Sequence, residues 1–205
     1  MERVAIGIRV HSGWGALVAV SLTGKTPEIV ERQRIAITGT TDQGANQPYH
    51  AARNLKLDEA EAFIAHRLAE GERTAVFALE AVFIELRTRK YRVSGAAVLL
   101  AAGRTLPPLE KILAAHPLIH TAEGEFFRSI FCKACGDLHI PVVKIRERDL
   151  ESSLQEKFGR SAAKLHKQVS QLGKSVGPPW TTDQKNATLA ALLVLAAKQT
   201  RPTVS

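Results

Sequence analysis

Cysteine, aromatic residues and long apolar runs are all scarce in this chain, and each scarcity narrows the reading. Two cysteines exclude a disulfide framework. Aromatic residues make up only 5% of the sequence, which excludes a stacking platform for single-stranded nucleic acid. The most apolar stretches, Gly95 to Gly103 and Ala187 to Ala197, fall short of the about 20 residues that cross a bilayer. No glycine-rich loop of Walker type is present. Met1-Glu2-Arg3 leads straight into a strand pattern rather than an apolar leader. Together these predict a cytoplasmic protein with no membrane partner. Acidic residues are also outnumbered: 28 Lys and Arg face 20 Asp and Glu, giving a net charge of +8 and a pI near 9.8. A basic balance favours a polyanionic partner such as nucleic acid.

What is present starts with Arg3 to Leu22. Val4, Ile6, Ile8 and Val10 alternate as in a half-buried strand. Leu17 to Leu22 is a second apolar run, and His11-Ser12-Gly13-Trp14-Gly15 between them reads as a hairpin turn. A third run, Pro27 to Thr38, follows the turn Thr23-Gly24-Lys25 and completes an antiparallel meander. Gly39 to Tyr49 reads as a loop. Leu57 to Glu70 has helical spacing, Gly71 breaks it, and a second helix runs over Thr74 to Arg89. Val93 to Ala102 reads as a strand buried on both faces. Pro107-Pro108 opens a short helix to about Ala115, His116-Pro117 interrupts, and Thr121 caps a helix to about Leu138. Ile140 to Ile145 is the fifth strand, entered through Pro141. Arg146 to Leu172 is helical with a break near Gly159, Gly173 to Trp180 is a linker, and Thr182 caps a final helix over Asp183 to Lys198. Right-handed crossovers then place these elements in a five-stranded mixed sheet with helices on both faces. The reading is one domain over residues 1–198 with a flexible tail over 199–205.

This element order resembles the ribonuclease H-like fold, and within it the RuvC-type Holliday-junction resolvases. Those enzymes carry an acid near the end of the first strand in a Gly-Ile-Asp pattern, whereas here Gly7-Ile8 is followed by Arg9. Their last helix begins with an acid on a small-residue face, and Thr182-Asp183-Gln184-Lys185-Asn186-Ala187 is similar. Phe77 to Phe83 also resembles the resolvase strand that carries a catalytic glutamate, but its spacing favours a helix, which would take Glu80 out of the site. The segments HSGW, HTAEGEFFR and GPPW are similar to those of an uncharacterised bacterial family that implies no activity. The resemblance implies an α/β protein, ribonuclease H-like, with a three-stranded antiparallel meander plus two parallel strands. It further implies metal-dependent phosphodiester hydrolysis with Mg2+ or Mn2+.

In such a sheet, ligands gather at the carboxyl ends of strands. The first strand ends with Arg9, His11 and Ser12, and Arg104 follows the fourth. Helix starts bring His120, Glu123 and Asp183. Arginine presents a planar fork suited to phosphate. The expectation is that Glu123 and Asp183 hold metal, that Arg9, Arg104, Lys185 and Ser12 contact phosphate, and that His11 or His120 transfers protons. Asp183 and Glu123 also have a plainer explanation, because acids in a first helical turn are favoured by the helix dipole alone. Cys132-Lys133-Ala134-Cys135 lies late in a helix, where the dipole does not activate a thiol. A zinc site there needs two more ligands, such as His116 and His139, and structural cysteines are the preferred reading. The basic clusters Arg87 to Arg92, Lys144 to Arg148 and Lys157 to Lys174 are either solvated faces or a track for a phosphate backbone. Two functions follow: a nucleic-acid-processing enzyme with a non-standard active site, or an inactive member of the fold that binds a phosphorylated ligand or a protein partner.

Overall fold

The computed structural model describes residues 1–39, 44–101 and 105–197. The expected tail over 199–205 and Arg104 lie outside the described residues. Strands β1 (Glu2–His11), β2 (Trp14–Thr23), β3 (Thr26–Ala36), β4 (Tyr91–Leu100) and β5 (Val142–Arg146) form one sheet in the order β3-β2-β1-β4-β5. The first three are antiparallel, and β4 and β5 add in parallel beside β1. Ser12-Gly13 is the two-residue turn of the first hairpin, with Gly13 at φ +78°.

The two faces of the sheet are sorted by the period-two alternation of its central strands. Val4, Ile6, Ile8, Leu17, Ala19, Ala96 and Val98 point into one core, against helices α2 (Leu57–Thr88) and α4 (His116–Asp137). Ala5, Val18, Val20, Ala97 and Leu99 point into the other, against α5 (Leu150–Phe158), α6 (Ala162–Val176) and α7 (Thr182–Ala197). The shorter helices α1 (Pro48–Ala52) and α3 (Leu109–Ala114) pack at the α4 side. No helix among the described residues is long and apolar enough to cross a membrane.

Several expected boundaries shift. Gly71 does not break a helix: α2 is continuous over 32 residues. Glycine costs a helix about 1 kcal/mol relative to alanine, but here it lets α4 approach, since a Cβ at Gly71 would lie 2.7 Å from Ile130 Cδ1. Glu80 is accordingly exposed on a helix rather than set on a strand. His116-Pro117 does not interrupt but starts α4, because proline is tolerated in a first turn, where its missing N–H has no partner to lose. Thr121 is therefore inside the helix, donating to the Pro117 carbonyl at 3.0 Å, and caps nothing. The linker shrinks to Gly177–Trp180, since α6 runs to Val176 and its Gly173 packs under the Trp180 ring. The break near Gly159 is present, with that residue at φ +52°.

Helix α7 lies along β1 in the opposite direction. Arg3 donates to the Leu195 carbonyl at 3.0 Å, and a Cβ on Gly7 would sit 1.8 Å from the Ala187 carbonyl oxygen. Small residues on α7, among them Ala187, Ala190 and Ala191, are fully buried there. Gly7→Ala is expected to push α7 off the sheet and cost about 3 kcal/mol, a fall in Tm of roughly 6–12 °C in thermal denaturation. Gly136→Ala, whose added Cβ meets nothing within 4 Å, should leave Tm unchanged or raise it. Burial pushes the Cys135 thiol up to about 12 and raises Cys132 as well. Cys135 should therefore resist a thiol reagent at pH 8 in the folded protein and react fully in denaturant, since only the thiolate attacks.

Candidate functional site

The direction of α7 decides what meets the end of β1. The helix start lies over the carboxyl end of the strand, and the odd-numbered residues of β1 face it. Thr181 and Gln184 fix that start. The Thr181 hydroxyl accepts from the Asp183 N–H at 3.3 Å, and Gln184 Oε1 accepts from the Thr181 N–H at 2.9 Å and from its hydroxyl at 2.8 Å. This is a capping box, so Thr181 rather than Thr182 is the cap. It sets Asp183 in the first turn, facing Arg9.

Arg9 is the centre of the cluster. Its guanidinium donates to Asp183 through Nη1 and to both carboxylate oxygens of Glu147, from Nε at 3.0 Å and from Nη2 at 3.1 Å. Glu147 comes from a single 3-10 turn, Glu147–Asp149, directly after β5. Burial works against the Arg9 charge, but the hydrogen bonds and charges of Glu147 and Asp183 outweigh it and raise the guanidinium above its ordinary value. The side chains of Arg9, Asp183 and Glu147 remain 22%, 20% and 31% exposed, so water screens the cluster only in part. His11 adds an edge to it: Nε2 lies 3.1 Å from Asp183 Oδ1, within ion-pair range but off the line of a hydrogen bond. The His11 ring stacks on Trp14, with centroids 4.3 Å apart, and the Arg34 guanidinium lies 4.4 Å from the Trp14 centroid.

Beside this cluster opens a cleft of about 430 Å³ lined by Arg9, His11, Ala101, Arg128, Glu147 and Arg148. Arg128 reaches it from α4, steadied by an Nε–H bond to the Leu99 carbonyl at 3.2 Å. Burial lowers the Arg128 pKa from its ordinary value, yet a guanidinium keeps its charge at neutral pH. Arg148 is exposed at the rim. The donors of Arg9 already hold two carboxylates; among the described residues, Arg128 and Arg148 are the other cations lining the cleft, with Arg148 Nε 3.5 Å from Asp149 Oδ1.

The structure thus brings together Arg9, His11 and Asp183, as the end-of-strand argument expects. Ser12 is exposed in the adjoining turn. Lys185 sits two residues past Asp183, about 200° further round the helix, and faces away from Arg9. Glu123 and His120 are elsewhere. Both are on α4, which packs on the opposite face of the sheet from α7. Glu123 is 4% exposed, and its Oε1 pairs with His50 Nδ1 at 2.9 Å and accepts from the His50 backbone N–H at 3.2 Å. Glu123 and Asp183 therefore belong to two separate clusters. Glu147 and Arg128 were missed. Glu147 follows a strand end, so the rule applied to β1 and β4 points to it equally. Arg128 carries no local signal.

No protein-family model matches the chain, and no curated protein matches it. Among solved structures it is similar to Thermus thermophilus RuvC, with a TM-score of 0.53 and 12% identity over 96% of this chain and 95% of that one. It is likewise similar to T. thermophilus RuvC in complex with a Holliday junction substrate, with a TM-score of 0.52, 12% identity and the same coverage of both chains, 96% and 95%. At this identity the likeness is one of architecture, and together with the strand order β3-β2-β1-β4-β5 it gives the chain a ribonuclease H-like fold.

Proposed function

We propose that this protein binds nucleic acid through the cleft at the carboxyl end of β1 and does so without metal-dependent hydrolysis. The observation that carries the reading is the placement of the Arg9 guanidinium between Asp183 and Glu147. A divalent ion for phosphodiester hydrolysis needs clustered carboxylates with free oxygens. Here the two acids at the site are hydrogen-bonded to one internal cation, and Glu123, the third acid expected there, is committed to His50 on the other face. These residues do not fit the Mg2+ or Mn2+ centre that the resemblance implies, and no catalytic step is derived through one.

Affinity for a phosphate backbone rests instead on charge. The net +8 and the guanidinium groups of Arg128 and Arg148 at the cleft supply cations that release counterions on binding. The T. thermophilus RuvC structure with a Holliday junction substrate supports branched DNA as the first substrate to try. Two free cysteines suit a reducing cytoplasmic setting.

Three outcomes follow. Binding to duplex and four-way-junction DNA, measured by fluorescence anisotropy, should weaken steeply between about 50 and 200 mM salt. Arg148→Ala should lower the slope of log K against log salt by about 1. Salt-insensitive binding of a phosphorylated small molecule in place of DNA would support the alternative reading. Wild-type protein should cleave neither DNA with Mg2+ or Mn2+; cleavage that Asp183→Asn abolishes would overturn the non-catalytic reading. Arg9→Asp leaves three acids facing one another, so it should destabilise the protein at neutral pH. Addition of Mg2+ at about 100 times its Kd should then restore about 2.7 kcal/mol, a rise of roughly 5–10 °C in Tm, with no such shift in the wild type.

A further inference from the structure

A second cluster of chemically capable side chains lies on the face of the sheet away from α7. His116 and His120 are four residues apart, one above the other on the first turns of α4. His50 reaches them from α1. The three rings meet edge to face, with centroids 4.4 Å apart for His116–His120, 4.8 Å for His50–His120 and 5.1 Å for His50–His116. One ring nitrogen from each lies within 4.8 Å of the other two.

Three imidazoles in contact have no mutual reason to gather. They are poor hydrophobes, and as cations they repel. What orients them is more telling. Glu123 is buried beneath the cluster and takes both the backbone N–H and Nδ1 of His50 on a single oxygen. A carboxylate accepts only, so in the neutral ring the proton sits on Nδ1 and Nε2 carries the lone pair. A carboxylate behind one ligand imidazole is the arrangement that holds metal-binding histidines in place. His116 and His120 are exposed, so their free nitrogens are open to solvent and to an ion arriving from it.

We propose that His50, His116 and His120 bind one divalent transition-metal ion of the zinc class, with Glu123 as the positioning residue behind His50. Imidazole nitrogens suit zinc, copper or nickel and give magnesium or calcium nothing they prefer. A tetrahedral ion with nitrogen ligands at about 2.0–2.1 Å holds those nitrogens about 3.4 Å apart. The rings therefore need to draw in by about an ångström, a movement within reach of side chains at a surface. Three protein ligands leave a fourth position for water or a small anion. The ion would join α1 to α4.

The site is independent of the cleft at Arg9. It also differs from the CxxC of the same helix, whose Cys135 is buried in the core beneath the opposite end of α4.

The test begins with protein stripped by a chelator and titrated with zinc chloride by calorimetry and against a chromophoric chelator. The expected result is one zinc ion per chain, a Tm that rises with zinc, and no response to magnesium. His116→Gln and His120→Gln change exposed residues, so they should leave the circular dichroism spectrum intact while removing the zinc-induced Tm rise. Glu123→Gln should weaken zinc by about 10–100-fold without changing the visible spectrum of the cobalt-loaded protein, which a general loss of structure would change. Absence of one-to-one binding at about 100 μM zinc would overturn the proposal. So would retention of wild-type affinity in both surface histidine variants, or loss of zinc in Cys132→Ser with His120→Gln unaffected.

Discussion

The contact between Gly7 on β1 and the Ala187 carbonyl on α7 governs the arrangement of this molecule. A backbone carbonyl fills the space where any other residue at position 7 would place its Cβ. So close an approach demands a helix face of alanines, and it fixes both the height and the direction of α7 over the sheet. Everything at the carboxyl end of β1 follows from that. With Leu195 beside Arg3 and Ala187 over Gly7, the first turn of α7 can only lie over Arg9 and His11.

Charge is then settled locally. Two carboxylates delivered to one spot repel each other, and a cation set between them relieves that. In this chain the relief is covalent: the cation is carried by Arg9, one of the sheet's own side chains. A guanidinium cannot be chelated away and satisfies three acceptor oxygens with directed hydrogen bonds. It is also larger than a metal ion and has no vacant coordination position for a water or a phosphate oxygen. The same geometry that secures the end of the sheet sets a guanidinium between the two acids gathered there.

Much of this was legible from the residues. The alternation through Val4, Ile6, Ile8 and Val10 and the apolar run of β4 gave the sheet, because burial on one or both faces writes itself into hydrophobic period. Arg9, His11 and Asp183 were found by following strand ends and helix starts. Two interruptions were misread, for physical reasons. Gly71 looks like a breaker by propensity, but the close approach of Ile130 outweighs that cost. His116-Pro117 looks like a stop, yet proline is at home in a first turn. The second error mattered most for the chemistry. Once α4 is started at His116, His116 and His120 fall on one face of one helix; split between elements, they have no relation. His50 was beyond reach, since only the docking of α1 against α4 brings it there.

The connection Gly177–Trp180 shows how firmly the approach to α7 is held. Arg32, on the edge strand β3, donates to the carbonyls of Val176, Gly177, Pro178 and Pro179, and Trp180 donates to the Val169 carbonyl at 2.9 Å. These bonds set the path of the chain into Thr181, while the packing of Ala187 on Gly7 sets how α7 is turned and so where Asp183 faces. That short connection is therefore clamped through its carbonyls: the duty of holding it falls on one side chain of the neighbouring strand, Arg32, so the connection's own side chains are spared it.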